Sequence, residues 1–175
     1  MCPRRILEGM TMPTGAVSKK VKLDKIDRRI ISDLQGSGRM TNVELANNAG
    51  ISAPPCLRRV RALEDNQIIK GYYARLNGSK LGYTVTAFVT VRLNNQNDSD
   101  VKAFERDIQN MDNIREAYVI SGDYDFMLRV VARDWEDYQD FLSNKLTTME
   151  NVNSVRTSMK VKIAKFEPGF PIDLG

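Results

Sequence analysis

Histidine is missing from all 175 residues of the chain. Its absence removes His-dependent triads, His general bases and His metal ligands together. Cysteine is scarce. Cys2 and Cys56 stand far apart with no CxxC, which argues against a disulfide scaffold or a zinc ribbon and points to a reducing, cytoplasmic compartment. No run approaches the ~18 uninterrupted apolar residues of a membrane helix, and the opening MCPRRILEG lacks the apolar stretch of a secretory signal. No metal, no cofactor and no membrane partner are therefore expected. What remains is an ordinary globular composition, 42% hydrophobic and 27% charged, enough to pack one or two small domains.

The charge is unevenly placed. Residues 1–71 hold 13 Lys/Arg against 7 Asp/Glu, whereas residues 72–175 hold 13 against 15. A basic front suits a polyanion, nucleic acid being the commonest, and a mildly acidic back suggests a second task on the same chain. Residues 1–22 carry three Lys, two Arg and two Pro without apolar periodicity and read as a disordered basic arm.

Behind the arm the pattern predicts three short helices. Leu23, Ile26, Ile30 and Leu34 recur at helical spacing, with Asp24 as N-cap and Asp27 in the first turn. Thr41 and Glu44 stand at capping-box distance and open a second helix, Asn42–Ala49, which Gly50 closes. A third helix follows Ser52, a good N-cap residue. Pro54 and Pro55 are tolerated in its first turn, where N–H groups have no intrahelical partner to lose. Small Ala46, four residues before Gly50, allows a close crossing, and Leu45, Ala49, Ile51, Leu57 and Val60 supply packing. This is a helix-turn-helix with the third helix as recognition helix. At 100° per residue, Cys56, Leu57, Val60 and Leu63 share one face and Arg58 points away from it, with Arg59 and Arg61 flanking. An outward Arg offers a two-pronged donor to guanine, and flanking Arg residues suit phosphates. DNA contacts are expected from Thr41, Asn42, Ser52, Pro54, Pro55, Arg58, Arg59 and Arg61. The plainer reading is a trihelical protein-binding module with Arg for solubility. After it, Ile68–Leu76 reads as a small wing in which Lys70 and Arg75 could touch phosphate, and Asn77-Gly78 as a domain junction.

The back half reads β-α-β-β-α-β. Val85, Ala87, Val89, Val91 and Leu93 alternate along a first strand. Val101, Phe104, Ile108 and Met111 stripe a helix. Strands over 114–120 and 126–132 flank the turn Ser121-Gly122-Asp123-Tyr124-Asp125. A second helix capped by Asp134 turns Trp135, Tyr138, Leu142, Leu146 and Met149 inward, and a last strand runs from about Val152 to Phe166. This order is the ferredoxin-like arrangement, two helices over one face of an antiparallel sheet. Phe88, Met127 and Val131 project from the other face, so a second copy is expected to cover it.

Fold alone names no function. An RNA-recognition sheet needs a basic-Gly-aromatic signature that the third strand, Phe126-Met127-Leu128-Arg129, lacks. A small amino-acid-binding metabolic enzyme would have the acids Asp123 and Asp125 but no nucleophile–base pair. A ligand-sensing and assembly domain is the third reading. In the 121–125 turn, carboxylates could receive an ammonium group and turn N–H groups a carboxylate. Turn chemistry by itself also accounts for these residues.

The stretch LDKIDRRIISDLQGSGRMTNVELANNAGISAPPCLRRVRALEDNQIIKGYYARLN, followed by the βαββαβ unit with SGDYD, resembles the leucine-responsive regulatory protein/AsnC family of feast/famine regulators, from about Leu23 to Phe166. The resemblance implies a non-enzymatic, nucleoid-associated transcription factor that binds double-stranded DNA. It further implies dimers, assemblies such as octamers, and a small amino-acid effector such as leucine or proline held between dimers. By position it places Gly122, Asp123, Tyr124 and Asp125 at the effector site, with Trp135, Ser158 and Met159 as further contributors. The expected architecture is α+β: an arm over 1–22, an N-terminal winged helix-turn-helix over 23–77, and a C-terminal ferredoxin-like βαββαβ domain over 83–168.

Overall fold

The structure, a computed structural model, describes residues 21–175; the arm expected over 1–22 lies almost wholly outside the described residues. The chain divides into two compact units. One runs to Tyr73 and takes back Glu167–Gly175, and the other is Ala74–Phe166.

The first unit is built on α1 (Lys25–Gly36), α2 (Asn42–Ala49) and α3 (Ala53–Asp65). Both capping boxes form. Asp24 accepts from the N–H of Asp27, and Thr41 from that of Glu44, while each partner's carboxylate reaches back. Those bonds to Thr41 hold the exposed Glu44 carboxyl below the usual carboxylate range. Gly50 terminates α2 in the left-handed region at φ 67°, and its N–H returns to the carbonyls of Ala46 and Asn47. That turn swings α3 across α2 over the buried Ala46. Ile30, Ile31, Leu45, Ala46, Cys56 and Leu63 form the core. Burial also pushes the Cys56 thiol up. Leu57, expected to pack inward, is 39% exposed, because Cys56, Val60 and Leu63 already fill the inner arc of the helix.

The C-terminal segment of this unit is not foreshadowed by any periodicity. The Gln35 side chain brackets Phe170, accepting its N–H at 2.7 Å and donating to its carbonyl at 2.9 Å. Arg28 donates to the Asp173 carbonyl at 3.1 Å, and Ile172 packs against the helical core. The region Ile68–Leu76, expected as a wing, contains no strand. A lone two-stranded hairpin is marginal in water, and Tyr72 is instead tied to α3 by a 2.9 Å bond to Glu64. Burial and that carboxylate push the Tyr72 phenol up to about 12.

The second unit is a four-stranded antiparallel sheet of β1 (Val85–Leu93), β2 (Ile114–Val119), β3 (Phe126–Ala132) and β4 (Val152–Met159), in the order β2-β3-β1-β4. The helices α4 (Asp98–Ile108) and α5 (Trp135–Phe141) carry its apolar cover. Alternation puts Ala87, Val89, Val91 and Leu93 of β1 beside Phe126, Leu128, Val130 and Ala132 of β3, all buried with Phe104, Ile108, Tyr138, Phe141 and Leu146. After α5 the chain widens into a π turn, Leu142–Leu146, which seats Leu146 in the core. Two expectations differ. Trp135 is 55% exposed, since it opens α5 ahead of the inward stripe and rests its ring 5.6 Å from that of Tyr138. The last strand stops at Met159 rather than Phe166, and Val161 is 94% exposed; β1 begins at Val85, and the Lys160 N–H still bonds the Thr86 carbonyl just beyond the strand end.

Candidate DNA-binding helix and effector-binding loop

The exposed arc of α3 presents Arg58 and Arg61. They are three residues apart, hence on one side of the helix, and neither carries an ion pair among the described residues. Arg59 behaves otherwise. Its guanidinium turns back onto α1, with Nη1 at 2.8 Å from Asp24 and 2.7 Å from Asp27. Those bonds raise the Arg59 pKa, with Asp27 contributing most. The Asp24 carboxyl is held low, first by the Asp27 backbone N–H and then by Arg59.

The start of α2 is also more engaged than its sequence suggests. The Thr41 hydroxyl lies 2.7 Å from the Glu44 carboxylate inside the capping box. Asn42 Nδ2 donates to the Ala53 carbonyl at 2.8 Å, tying α2 to the first residue of α3, while its buried Oδ1 finds no partner among the described residues. Ser52 occupies the N-cap position of α3 but makes no side-chain cap bond. The reason is the pair that follows. An N-cap oxygen accepts from the second or third helical N–H, and Pro54 and Pro55 have none. The two prolines also thin the N–H donors that a helix start can offer an anion, and the Cys56 N–H already bonds the Ser52 carbonyl at 3.3 Å. Ala53 is the remaining first-turn donor, beside an uncapped Ser52 hydroxyl. Pro54 is exposed and Pro55 half-buried.

In the other unit, Gly122 sits at φ 129°, a backbone setting that favours glycine, with open space where a Cβ would stand. Asp123 is exposed and Tyr124 half-buried. Asp125 braces the loop. Its Oδ2 accepts the Leu93 N–H at 2.7 Å, its N–H bonds the Val91 carbonyl, and its carbonyl receives the Ile120 N–H. The Leu93 bond lies at the β1 bulge between Arg92 and Leu93. Beside it opens a polar depression lined by Arg92, Asn94, Asn95, Gln96, Asn97 and Asn153. Asn153 donates to Asn94 at 3.0 Å there. Hydrophobic periodicity marks none of these side chains, although the run Asn94-Asn95-Gln96-Asn97 is visible in the sequence.

The expected effector residues fall into two groups. The 121–125 loop adjoins the Val91–Leu93 end of β1. Ser158 and Met159 pair with Phe88 and Ala87 toward its other end. Trp135 is at that other end too, just after Ala132, which pairs with Val85. Ala87 and Val91 are four positions apart along the strand, about 13 Å. One copy of the unit therefore does not bring the two groups around one small molecule.

Residues 23–70 match the winged helix-turn-helix DNA-binding family and residues 86–170 the Lrp/AsnC ligand-binding domain family. The chain is 49% identical over 146 residues to the leucine-responsive regulatory protein of Rhizobium meliloti, covering 83% of this chain and 94% of that protein. The chain belongs to the Lrp/AsnC family. Like other Lrp/AsnC proteins it is a transcriptional regulator and not an enzyme, with a DNA-binding helix-turn-helix and a ligand-binding domain. It is 37% identical to the leucine-responsive regulatory protein of Escherichia coli over 143 residues, 82% of this chain and 87% of that protein. Among solved Lrp/AsnC structures, a transcriptional regulator from Neisseria meningitidis in complex with L-Met superposes with a TM-score of 0.83 at 28% identity, covering 87% of this chain and 98% of that one. Escherichia coli AsnC superposes with a TM-score of 0.75 at 27% identity, covering 83% and 97%.

The uncapped Ser52 of this Lrp/AsnC chain makes a direct prediction. Replacing an N-cap Ser by Ala ordinarily costs about 1 kcal/mol of stability. Ser52→Ala is expected to change urea stability by less than ~0.5 kcal/mol, as for a surface substitution away from any cap. A loss of the ordinary size in equilibrium unfolding would show that the hydroxyl caps the helix after all.

Proposed function

We propose that this regulator works as a dimer closed over the open sheet face, with the two α3 helices entering successive major grooves of a pseudopalindromic operator. The exposed Phe88, Tyr118 and Met127 on that face support pairing with a second copy. The observation that carries the DNA half is the outward pair Arg58 and Arg61, with Arg58 reading guanine and Arg61, the Ser52 hydroxyl and the Ala53 N–H meeting phosphate. Pro54 and Pro55 shape the helix start against the backbone, and Thr41 and Asn42 set the approach of α2 through the bonds they already make.

The effector is a small amino acid, leucine or proline being the first to try. Gly122, Asp123, Tyr124 and Asp125 of one copy and Trp135, Ser158 and Met159 of another form its site where dimers meet, in an octamer or similar disc. Two observations support this: the wide separation of the two groups within one copy, and the L-Met complex of the Neisseria meningitidis relative. The effector acts by binding one assembly better than another. The protein is expected in the cytoplasm, on the nucleoid; no helix among the described residues is long and apolar enough to cross a membrane.

The test is binding to duplexes selected from a random pool, followed by anisotropy across a salt series with and without each amino acid, and sedimentation in parallel. A steep fall of affinity with salt, and a shift of assembly size and affinity with one amino acid, are expected. Salt-insensitive binding would remove the DNA mode. An assembly indifferent to the whole amino-acid panel would remove the effector site.

A further inference from the structure

Arg59 lies one residue from Arg58, so a 100° step separates the side chain that faces outward from the one that turns back. Its two carboxylate partners are themselves organised. Asp24 uses Oδ1 to cap the Asp27 N–H at 2.9 Å, and Asp27 uses Oδ2 to receive the Asp24 N–H at 3.2 Å. The remaining oxygens, Asp24 Oδ2 and Asp27 Oδ1, both take Arg59 Nη1. Each of the four oxygens thus has one task, and one guanidinium nitrogen joins α3 to a capped helix start.

We propose that the Arg59–Asp24–Asp27 cluster sets the angle of α3 against α1, making Arg59 a positioning residue for operator recognition and not a DNA contact. This rests on α3 being the recognition helix. Side-chain exposures of 32% for Arg59, 52% for Asp24 and 17% for Asp27 put the cluster at the surface, where ion pairs add little stability. What it provides is direction. Arg58 and Arg61 must meet base edge and phosphate together, and a small rotation of α3 misaligns both.

The sign of one substitution separates this from the obvious alternative. Asp27→Asn removes a negative charge near DNA. If Arg59 were a phosphate contact held back by acids, losing one would free it and tighten binding. If Arg59 positions the helix, the same change loosens operator binding. Asp24 remains the N-cap, and an Asn side chain at position 27 keeps one acceptor oxygen for the Asp24 N–H, so α1 keeps its start.

The experiment measures anisotropy of the full chain on a selected operator duplex and on a scrambled duplex across a salt series. Wild type is compared with Asp27→Asn, Asp24→Asn, Arg59→Gln, Arg59→Lys, the Asp27→Asn/Arg59→Gln pair and Arg58→Ala. Expected are losses of about three- to tenfold on the operator for Asp27→Asn and for Arg59→Gln, and no further loss in the double variant. Scrambled binding and the salt slope stay unchanged, and Arg59→Lys recovers part of the loss. Tighter operator binding by Asp27→Asn overturns the proposal. So does an Arg59→Gln salt slope lowered by about 1 on both duplexes, the mark of a lost phosphate contact. If Arg59→Gln does not fold, the two Asn variants carry the test by the same sign. An Arg58→Ala variant with unaltered operator preference overturns the recognition-helix reading itself, a failure distinct from that of the cluster.

Discussion

Phe104→Ala is expected to destabilise the sheet unit by about 3–5 kcal/mol. Phe104 is 1% exposed, and its ring lies 4.5 Å from that of Phe126 at a 45° tilt. It is the largest side chain that α4 delivers to the sheet. Truncation removes its transfer free energy, leaves a cavity the backbone cannot close, and loses an aromatic pair worth a further ~0.5–1.5 kcal/mol. A domain holds only about 5–15 kcal/mol in total, so the variant sits near its folding threshold. The single tryptophan of the chain, Trp135, lies in this unit and reports its urea unfolding by fluorescence. The midpoint is expected to fall sharply with little change in slope. Phe104→Leu, which keeps most of the volume, should recover a large part of the loss. An unmoved Trp135 transition in Phe104→Ala would mean that α4 does not hold this sheet together.

Arg58→Ala is expected to weaken operator binding by about 1–3 kcal/mol and to relax preference at one base pair of each half-site. Stability should change by less than ~0.5 kcal/mol, because Arg58 is exposed and makes no ion pair among the described residues. Arg61→Ala should instead weaken all duplexes alike and lower the salt slope by about 1, as a phosphate contact does. Anisotropy on a panel of single-base operator variants reads both. If Arg58→Ala keeps the wild-type ranking of that panel, the recognition-helix reading itself fails.

The contrast between these arginines shows where reading a sequence stops. Three Arg within four positions of α3 carry the same charge and the same propensity. Periodicity separates their directions by multiples of 100° and leaves Arg59 on a flank. Only the position of the α1 start, with two acids already oriented by their own capping box, turns that flank into an ion-pair site. Ser52 teaches the complementary lesson. Its N-cap position is legible from Ser-Ala-Pro-Pro, and so, with a count of N–H donors, is the absence of a cap bond.

Local and periodic signals were enough for α2 and β3, which end where their residues predict, and for the antiparallel order of the sheet. Capping boxes, the Gly50 turn and strict alternation depend on neighbours in sequence, so the sequence expresses them fully. The Gln35–Phe170 clasp joins residues 135 apart. The end of β4 depends on where β1 begins, and the two halves of the proposed effector site stand at opposite ends of one strand. Each of these depends on partners distant along the chain, and a one-dimensional pattern of hydrophobicity and charge carries no term for that meeting.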